Sequence, residues 1–465
     1  MKRKYILLAM AVIFIAISQA GCKKYLDAKP NQAFVTPQSL NDLQALLDNS
    51  SQINLGQYPG LLEMATDDFF LSYTQLSALT PFEQESYIWI RQMNFDQSAT
   101  NQNWLNAFRP IFISNAVLDE LENVDKNDHT FSQRIEGSAL FIRAFSLWNL
   151  AQVFCPPYEN GGSNNAPGLP LRTTPDFNVP SVRSTVGETY SRIIDDLKGA
   201  IKLLPAKQLY PTRPGKWAAY AALARTYLSM EEYSLAGVYA DSCLQIDRTL
   251  IDYNTLTPTA ARPFAVFHPE TIFFSYSNGA SILNPTRANI DTLLYRSYLS
   301  NDLRKTVFFQ SSTGGNVGFK GSYSGSLSGT FFNGLATDEL YLIKAECLAR
   351  EGKYLESMTW LNSLLSTRWN TKGGTPFQNV FANSSEEALF KILLERRKEL
   401  LMRGLRWSDL RRLNRDPRFS KNLIRIIDTG SLKTSYILKP GSLNYTMEIP
   451  ADVIRITGMQ QNPRE

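Results

Sequence analysis

Two glutamates, Glu395 and Glu399, come nearest to the spacing of an acid–base pair. Four residues apart on one helix, their carboxylates share a face. A glycoside hydrolase instead holds its two carboxylates about 5 to 9 Å apart across a cleft. Arginines surround the pair here, and we expect Glu399 to form an i,i+4 ion pair with Arg403. Both glutamates are therefore interpreted as structural.

Other residues that carry catalysis or bind metals are scarce. The chain has only two histidines, His129 and His268, and neither has a companion at ligand spacing, so both are predicted to face solvent or cap an element. The glycine-rich run 315–321 lacks the GK[ST] ending of a phosphate-binding loop, and no HExxH or GxSxG motif occurs. We predict no catalytic residue, no metal site and no cofactor.

The first residues have the pattern of an export signal. Lys2-Arg3-Lys4 precedes thirteen apolar or nearly apolar residues, 5–17, too few for the roughly 20 that cross a bilayer. Cleavage after Ala20 would release a soluble exported protein. Ala20-Gly21-Cys22 instead suits bacterial lipoprotein processing, in which the thiol of Cys22 receives the lipid. We predict a signal peptide over 1–21, lipid attachment at Cys22 and a tether over 22–39, with the acyl chains holding the protein on a membrane.

Charge and cysteine content exclude two further classes. Without the signal segment, 45 basic residues face 43 acidic ones, and such a nearly neutral surface does not attract nucleic acid. Three cysteines remain after Cys22, an odd number without CxxC spacing, so no closed disulfide framework is expected. Cys243 and Cys347 lie in apolar helical runs and are predicted to be buried thiols, whereas Cys155 precedes two prolines in a loop.

The body of the chain is predicted to be helical. Apolar residues recur at helical spacing over 103–121, 139–153 and 187–204, and a final long helix is predicted over 385–413. One helical hairpin occurs twice at an offset of 121 residues, with three matching pairs: Tyr220 and Tyr341, Ala224 and Ala345, Tyr233 and Tyr354. Small residues at a helix crossing, with an aromatic leading into the second helix, are typical of tetratricopeptide hairpins, which bury their apolar faces by stacking.

A loop-rich region separates the two copies. Residues 271–276 and 305–309 are predicted to be short strands, and 314–329 a glycine- and serine-rich loop. Near the C-terminus, strands at 436–438 and 445–447 are predicted to form a hairpin. The fold class is therefore mainly α, a scaffold of tetratricopeptide-like hairpins carrying a partly β, loop-rich ligand region.

Aromatic and amide residues are concentrated in two of the predicted loop segments, 67–95 and 276–323. Flat rings stack on the apolar faces of pyranose sugars while amides and carboxylates bond the hydroxyl groups, although each ring could equally pack a loop onto the scaffold. Trp89 offers the largest flat face. The candidate ligand residues are Asp68, Tyr73, Tyr87, Trp89, Tyr276, Asn278 and Tyr323.

Segments along nearly the whole mature chain resemble the SusD/RagB family of Bacteroidota outer-membrane lipoproteins. The clearest is Glu395-Arg-Arg-Lys-Glu-Leu400 running into Gly404-Leu-Arg-Trp-Ser-Asp-Leu-Arg411. Others, in the family's order, are Cys22-Lys-Lys-Tyr-Leu-Asp27, Trp104 to Leu118, Gly168-Leu-Pro-Leu171, Lys216 to Leu228, Glu339 to Glu346, Glu448-Ile-Pro450 and Gln461-Asn-Pro463.

The resemblance implies a binding protein rather than an enzyme. Such lipoproteins capture oligosaccharide at the cell surface and deliver it to a SusC-like TonB-dependent transporter. A peptide ligand and a helical scaffold without small ligand stay open as alternatives. The resemblance implies an outward-facing position, while Lys23-Lys24 departs from the acidic residues that often follow the lipidated cysteine. The expected regions are a SusD-like helical region over 40–251, an insertion over 252–336 and a C-terminal SusD/RagB-like region over 337–465.

Overall fold

Helices are the predominant regular structure and the strands are few and short, which confirms the predicted mainly α class. The computed structural model describes residues 37–90, 97–176, 178–326, 328–373 and 375–465, and Leu40–Glu465 form one compact unit. Cys22 and residues 91–96 lie outside the described residues. None of the helices that the structure describes is long and apolar enough to cross a membrane.

The first described elements are short and alternate between helix and strand. They are α1 (Leu40–Asp48), α2 (Ser50–Ile53), β1 (Leu55–Tyr58), α3 (Leu61–Met64), β2 (Phe69–Phe70), α4 (Tyr73–Ser77) and α5 (Pro81–Tyr87). Capping boxes start the last two helices, because Ser72 pairs with Gln75 and Thr80 with Glu83 through reciprocal side-chain and backbone hydrogen bonds.

The three long helices lie where the apolar periodicity predicts them. They are α6 (Gln97–Glu120), α7 (His129–Phe154) and α8 (Val186–Leu203), with β3 (Pro167–Pro170) pairing antiparallel with β4 (Arg183–Thr185) between the last two. Helix α7 is buried along most of its length and ends at Phe154, with Cys155 as its C-cap just before the two prolines. His129 begins this helix and is exposed, as predicted.

The middle of the chain holds one helical hairpin and then a region of short elements. The hairpin is α9 (Lys216–Ser229) and α10 (Tyr233–Ile246). After it come β5 (Thr271–Phe273), β6 (Tyr276–Ser277), β7 (Asn289–Ile290), α11 (Thr292–Arg296), α12 (Arg304–Val307), β8 (Phe309–Ser311), β9 (Val317–Phe319) and β10 (Leu335–Ala336). The prediction of a strand over 305–309 is therefore wrong over most of its length, since helix α12 covers it.

The second copy of the hairpin is α13 (Thr337–Arg350) and α14 (Tyr354–Ser366), and its turn repeats that of the first copy. Glu231 and Gly352 both adopt positive φ, 62° and 85°. After each, an amide donates to the carbonyl five residues back, Glu232 to Tyr227 and Lys353 to Leu348. The offset of 121 thus extends to the left-handed turn residue, although the tetratricopeptide-like character of the hairpins stays a prediction.

The two copies pack directly on each other through α10 and α13. A Cβ placed on Gly237 of α10 would lie 3.1 Å from Cβ of Cys347 in α13, so the small residue allows the helices to approach closely. Cys243 and Cys347 are buried, as predicted, and the loop residue Cys155 is buried as well. The region boundaries after residues 251 and 336 stay predictions.

The C-terminal part differs from the prediction in two places. The single helix expected over 385–413 is broken into α15 (Ser385–Glu399) and α16 (Arg406–Leu413), because Met402 and Gly404 between them have φ values of 56° and 69°. The hairpin predicted around residues 439–442 lies upstream instead, as β11 (Leu423–Asp428) paired with β12 (Lys433–Leu438). Helix α17 (Ala451–Thr457) follows.

Candidate functional site

Two short strand pairs, one inside the first predicted ligand segment and one just before it, connect that part of the chain to the second segment. β1 pairs in parallel with β6, placing Leu55 opposite Tyr276, and β2 pairs antiparallel with β7, placing Phe69 opposite Ile290. The Glu83 carboxylate also accepts a hydrogen bond from the amide of Ile282 (2.8 Å). We call residues 66–90 and 276–290 the paired loops. They are far apart in sequence but form one continuous part of the fold.

Tyr73 is the most exposed of the seven candidate ligand residues, with 46% of its surface accessible. It opens α4, whose capping-box residue Gln75 accepts from the Ser72 amide and from the side-chain amide of Asn289, each at 2.9 Å. Tyr276 and Asn278 are half-buried on the other loop. The backbone amide of Asn278 donates to the backbone carbonyl of Tyr58 (2.7 Å). Tyr73, Tyr276 and Asn278 are thus the candidates on the paired loops that keep some accessible surface.

Trp89 and Tyr87 are buried below that surface. The indole nitrogen of Trp89 donates to the carbonyl of Ala65 (2.8 Å), and only 3% of the residue is accessible. The Tyr87 hydroxyl accepts from the amide of Leu71 (2.9 Å). The prediction that Trp89 offers a flat face to a sugar does not fit this position, because packing against the loop already covers the ring. Tyr87 has no free face for the same reason.

Asp68 is held in a buried charge cluster rather than presented to ligand. Its Oδ1 accepts from Nε of Arg397 (2.9 Å), while the neighbouring Asp67 accepts from Nε of Arg406 (2.7 Å). Burial raises the pKa of Asp68 against the opposing effect of Arg397. Burial and the Asp68 charge also raise the pKa of Glu63 well above its ordinary range. The buried position of Asp68 thus suits it to holding the loop and not to bonding the hydroxyl groups of a ligand.

Tyr323 lies in a second buried network. Its hydroxyl is within hydrogen-bond distance of Tyr253 (3.0 Å), Glu270 (3.1 Å) and Asp338 (3.3 Å). His268 packs edge-on against the same ring, with centroids 4.0 Å apart. The prediction that His268 faces solvent is wrong, since it is buried and neither ring nitrogen has a hydrogen-bond partner among the described residues.

Glu395 and Glu399 converge on one guanidinium rather than flanking a cleft. Arg304 donates to Glu395 (2.6 Å) and to Glu399 (2.9 Å), and Arg368 donates to the other oxygen of Glu399 (2.9 Å). The expected pair between Glu399 and Arg403 is wrong, because Arg403 donates to Asp338 instead (3.1 Å). Both carboxylates are thus locked in ion pairs, a position suited to stabilising the helix and not to proton transfer.

Two well-formed depressions lie away from the seven candidates. A groove of about 500 Å³ runs between α14 and residues 379–382, and a more enclosed cavity of about 260 Å³ lies beside Arg411 and Tyr445. None of the seven candidate residues lines either. Within the ranges that the structure describes, no group of three or more His, Cys, Asp or Glu side chains could hold a metal ion.

Two family models match the chain in succession. Residues 24–228 match a SusD-like model described as "Starch-binding associating with outer membrane", and residues 337–448 match one described as "SusD family". Together these segments cover about two thirds of the sequence in the same order as the helical regions above. The chain belongs to the SusD/RagB family. This confirms the resemblance drawn from the sequence.

Solved SusD-like structures have the same fold. A putative sugar binding protein from Bacteroides vulgatus is 20% identical, with a TM-score of 0.72 over 92% of this chain and 99% of its own. A SusD superfamily protein from Bacteroides thetaiotaomicron is 21% identical, with a TM-score of 0.72 over 92% and 100%. A laminarin binding SusD-like protein is 18% identical, with a TM-score of 0.64 over 90% and 97%. No curated protein matches the chain.

Proposed function

We propose that this SusD-like protein binds oligosaccharide at the outer membrane without cleaving it and delivers it to a SusC-like TonB-dependent transporter. The observation that carries the proposal is the match to a family model described as starch-binding and outer-membrane-associated. The shared fold with a laminarin binding protein supports it. Glu395 and Glu399, the best-spaced carboxylates, support binding without cleavage, because Arg304 and Arg368 hold them in ion pairs.

We place the ligand on the paired loops, with Tyr73 as the main stacking residue and Tyr276 and Asn278 as further contacts. Tyr73 has an exposed ring at the start of a capped helix, so its backbone is fixed while its face stays open. A half-buried amide such as Asn278 can bond a sugar hydroxyl with little loss of side-chain entropy. The buried candidates Asp68, Tyr87 and Trp89 would act indirectly, by holding the loop that carries Tyr73.

Lipid attachment at Cys22 belongs to the same proposal. The description of the matching family gives the outer membrane as its location, and the apolar run 5–17 is too short to span. A lipidated Cys22 would hold the protein at that membrane beside its transporter, facing outwards.

The test compares two exposed tyrosines by calorimetry with a panel of oligosaccharides. Tyr73→Ala should weaken binding about fivefold to tenfold, the loss of one stacking contact of about 1 kcal/mol. Tyr210→Ala is the matched control, because Tyr210 is 53% accessible but lies outside the paired loops. Equal affinity of both variants and the wild type would remove Tyr73 from the site. Release of shorter products on incubation would refute binding without cleavage.

A further inference from the structure

One buried arginine of the C-terminal hairpin contacts the first of the paired loops. Arg425 lies on the inward face of β11, where residues alternate between buried and exposed, and only 6% of it is accessible. Its guanidinium donates to the carbonyls of Phe69 (2.6 Å) and Tyr87 (3.4 Å), and also to that of Thr66. Arg425, more than 300 positions away in the sequence, thus donates hydrogen bonds to three backbone carbonyls of residues 66–90.

The same guanidinium packs among the aromatic rings of that loop. Its central carbon lies 4.0 Å from the ring centroid of Tyr87, 5.1 Å from that of Trp89 and 5.5 Å from that of Phe69. A planar cation can contact ring faces and donate hydrogen bonds in its own plane at the same time, which a lysine ammonium cannot do as well. The three rings therefore form a cage around Arg425.

The end of this loop is held in an uncommon backbone conformation. Trp89 has a φ of 60°, which a side chain of this size adopts only when its surroundings hold it there. The indole donates to Ala65, the Trp89 carbonyl accepts from Arg464 (3.3 Å), and Arg425 lies over the ring. Two arginines from the C-terminal part of the chain thus fix the loop at Trp89.

A short chain of contacts leads from Arg425 to the exposed ring of Tyr73. Arg425 holds the carbonyl of Phe69 in β2 and covers the ring of Tyr87, whose hydroxyl accepts from the amide of Leu71. Leu71 is two residues before Tyr73. Loss of the guanidinium would therefore remove the hydrogen bond at Phe69 and the packing over Tyr87, and so loosen the segment that leads into α4, although the capping box of Ser72 and Gln75 would remain.

We propose that Arg425 is a positioning residue for oligosaccharide binding: it fixes residues 66–90 so that Tyr73 meets the ligand in one orientation. The proposal rests on the proposed function and adds a residue that touches no ligand. If the binding-competent fraction of the loop falls to about one tenth without the guanidinium, the apparent Kd rises about tenfold.

Arg411 provides a matched control. It is also buried, 4% accessible, and its guanidinium also donates to three backbone carbonyls, those of Ala151, Gln152 and Cys155. Burial lowers the pKa of both arginines. Removing the Arg411 guanidinium would therefore break a similar set of hydrogen bonds. These bonds hold the end of α7 and not the paired loops.

The experiment measures glycan affinity and backbone amide exchange in the full mature chain carrying Arg425→Met, Arg425→Lys or Arg411→Met. Arg425→Met should raise the Kd about tenfold and speed exchange over residues 66–90, since both follow from the open fraction of the loop. Arg425→Lys keeps a cation over the rings, so its Kd and its exchange rate should lie between those of Arg425→Met and the wild type. Arg411→Met should speed exchange near residues 151–155 and leave the Kd unchanged.

Three results would overturn the positioning role. They are an unchanged Kd in Arg425→Met, an equal rise of Kd in Arg411→Met, and unchanged exchange over 66–90. If Arg425→Met does not fold, the comparison of Arg425→Lys with Arg411→Lys takes its place with the same outcomes. A wild-type protein that binds no oligosaccharide would instead refute the proposed function, and Arg425 would then position no ligand.

Discussion

Replacing Glu399 by glutamine should destabilise the fold and leave the ligand site intact. Its carboxylate is fully buried between Arg304 and Arg368, and glutamine would turn an NH₂ group toward one of these donors. Removing one partner of a buried ion pair costs about 3 to 5 kcal/mol. We expect about 3 kcal/mol, at the low end of that range, because Arg304 keeps Asp302 and Glu395 while Arg368 keeps Glu270.

The assay is chemical denaturation followed by circular dichroism, with thermal melting beside it. A protein of about 430 folded residues unfolds with an entropy of about 0.9 kcal/mol/K, so about 3 kcal/mol lowers Tm by about 3 °C. Glu386→Gln is the control, because Glu386 is exposed on the same helix, and its unfolding midpoint should not move. Unchanged stability of Glu399→Gln together with lost oligosaccharide binding would refute the structural assignment.

Three further changes test separate parts of the structure. Burial, with Arg403 and Arg368, lowers the pKa of His268 to about 3, so the unfolded chain gains a proton below about pH 6.5 that the folded chain does not. Unfolding free energy should therefore fall by up to about 1.4 kcal/mol per unit as pH drops from about 6 toward 3, and His268→Phe should remove that contribution; an identical pH profile would contradict it. Gly404→Ala places a Cβ on a residue with a φ of 69° and should lower the free energy of unfolding, measured by denaturation, by about 1 kcal/mol. An unchanged free energy of unfolding would contradict the need for a left-handed residue between α15 and α16. Labelled palmitate should enter the wild-type protein in its bacterial host but not Cys22→Ala, and equal labelling would exclude Cys22 as the lipid site.

Features set by neighbouring residues were predictable from the sequence. The long helices follow from apolar residues at helical spacing, and the two hairpins follow from small and aromatic residues repeated at one offset. The repeat even marks the turn, because Glu231 and Gly352 are equivalent positions with the same left-handed backbone. The apolar spacing acts within one or two turns of helix, and the repeat is visible when the sequence is compared with itself, so a single sequence contains both signals.

Features stabilised across the chain were not predictable in this way. The break after Glu399 is tied to the amide of Gly404, which donates to the Glu63 carboxylate (2.9 Å), and nothing near residue 404 indicates that partner. The large flat indole of Trp89 predicts a stacking platform, but Arg425 lies over the ring and the indole nitrogen donates to the carbonyl of Ala65. The family resemblance identified the segment with Arg397 and Arg406 without showing that both hold the loop at Asp67 and Asp68.

The most direct test of the central claim is a glycan-array screen of the protein lacking residues 1–21, followed by analysis of the recovered oligosaccharide. The account predicts selective binding of one class of oligosaccharide, recovered at its original length. It also predicts that the bound class is lost or weakened in Tyr73→Ala and retained in Tyr210→Ala. Shortened oligosaccharide would contradict binding without cleavage. Tight binding of peptides with no response on the glycan array would contradict the proposed ligand class.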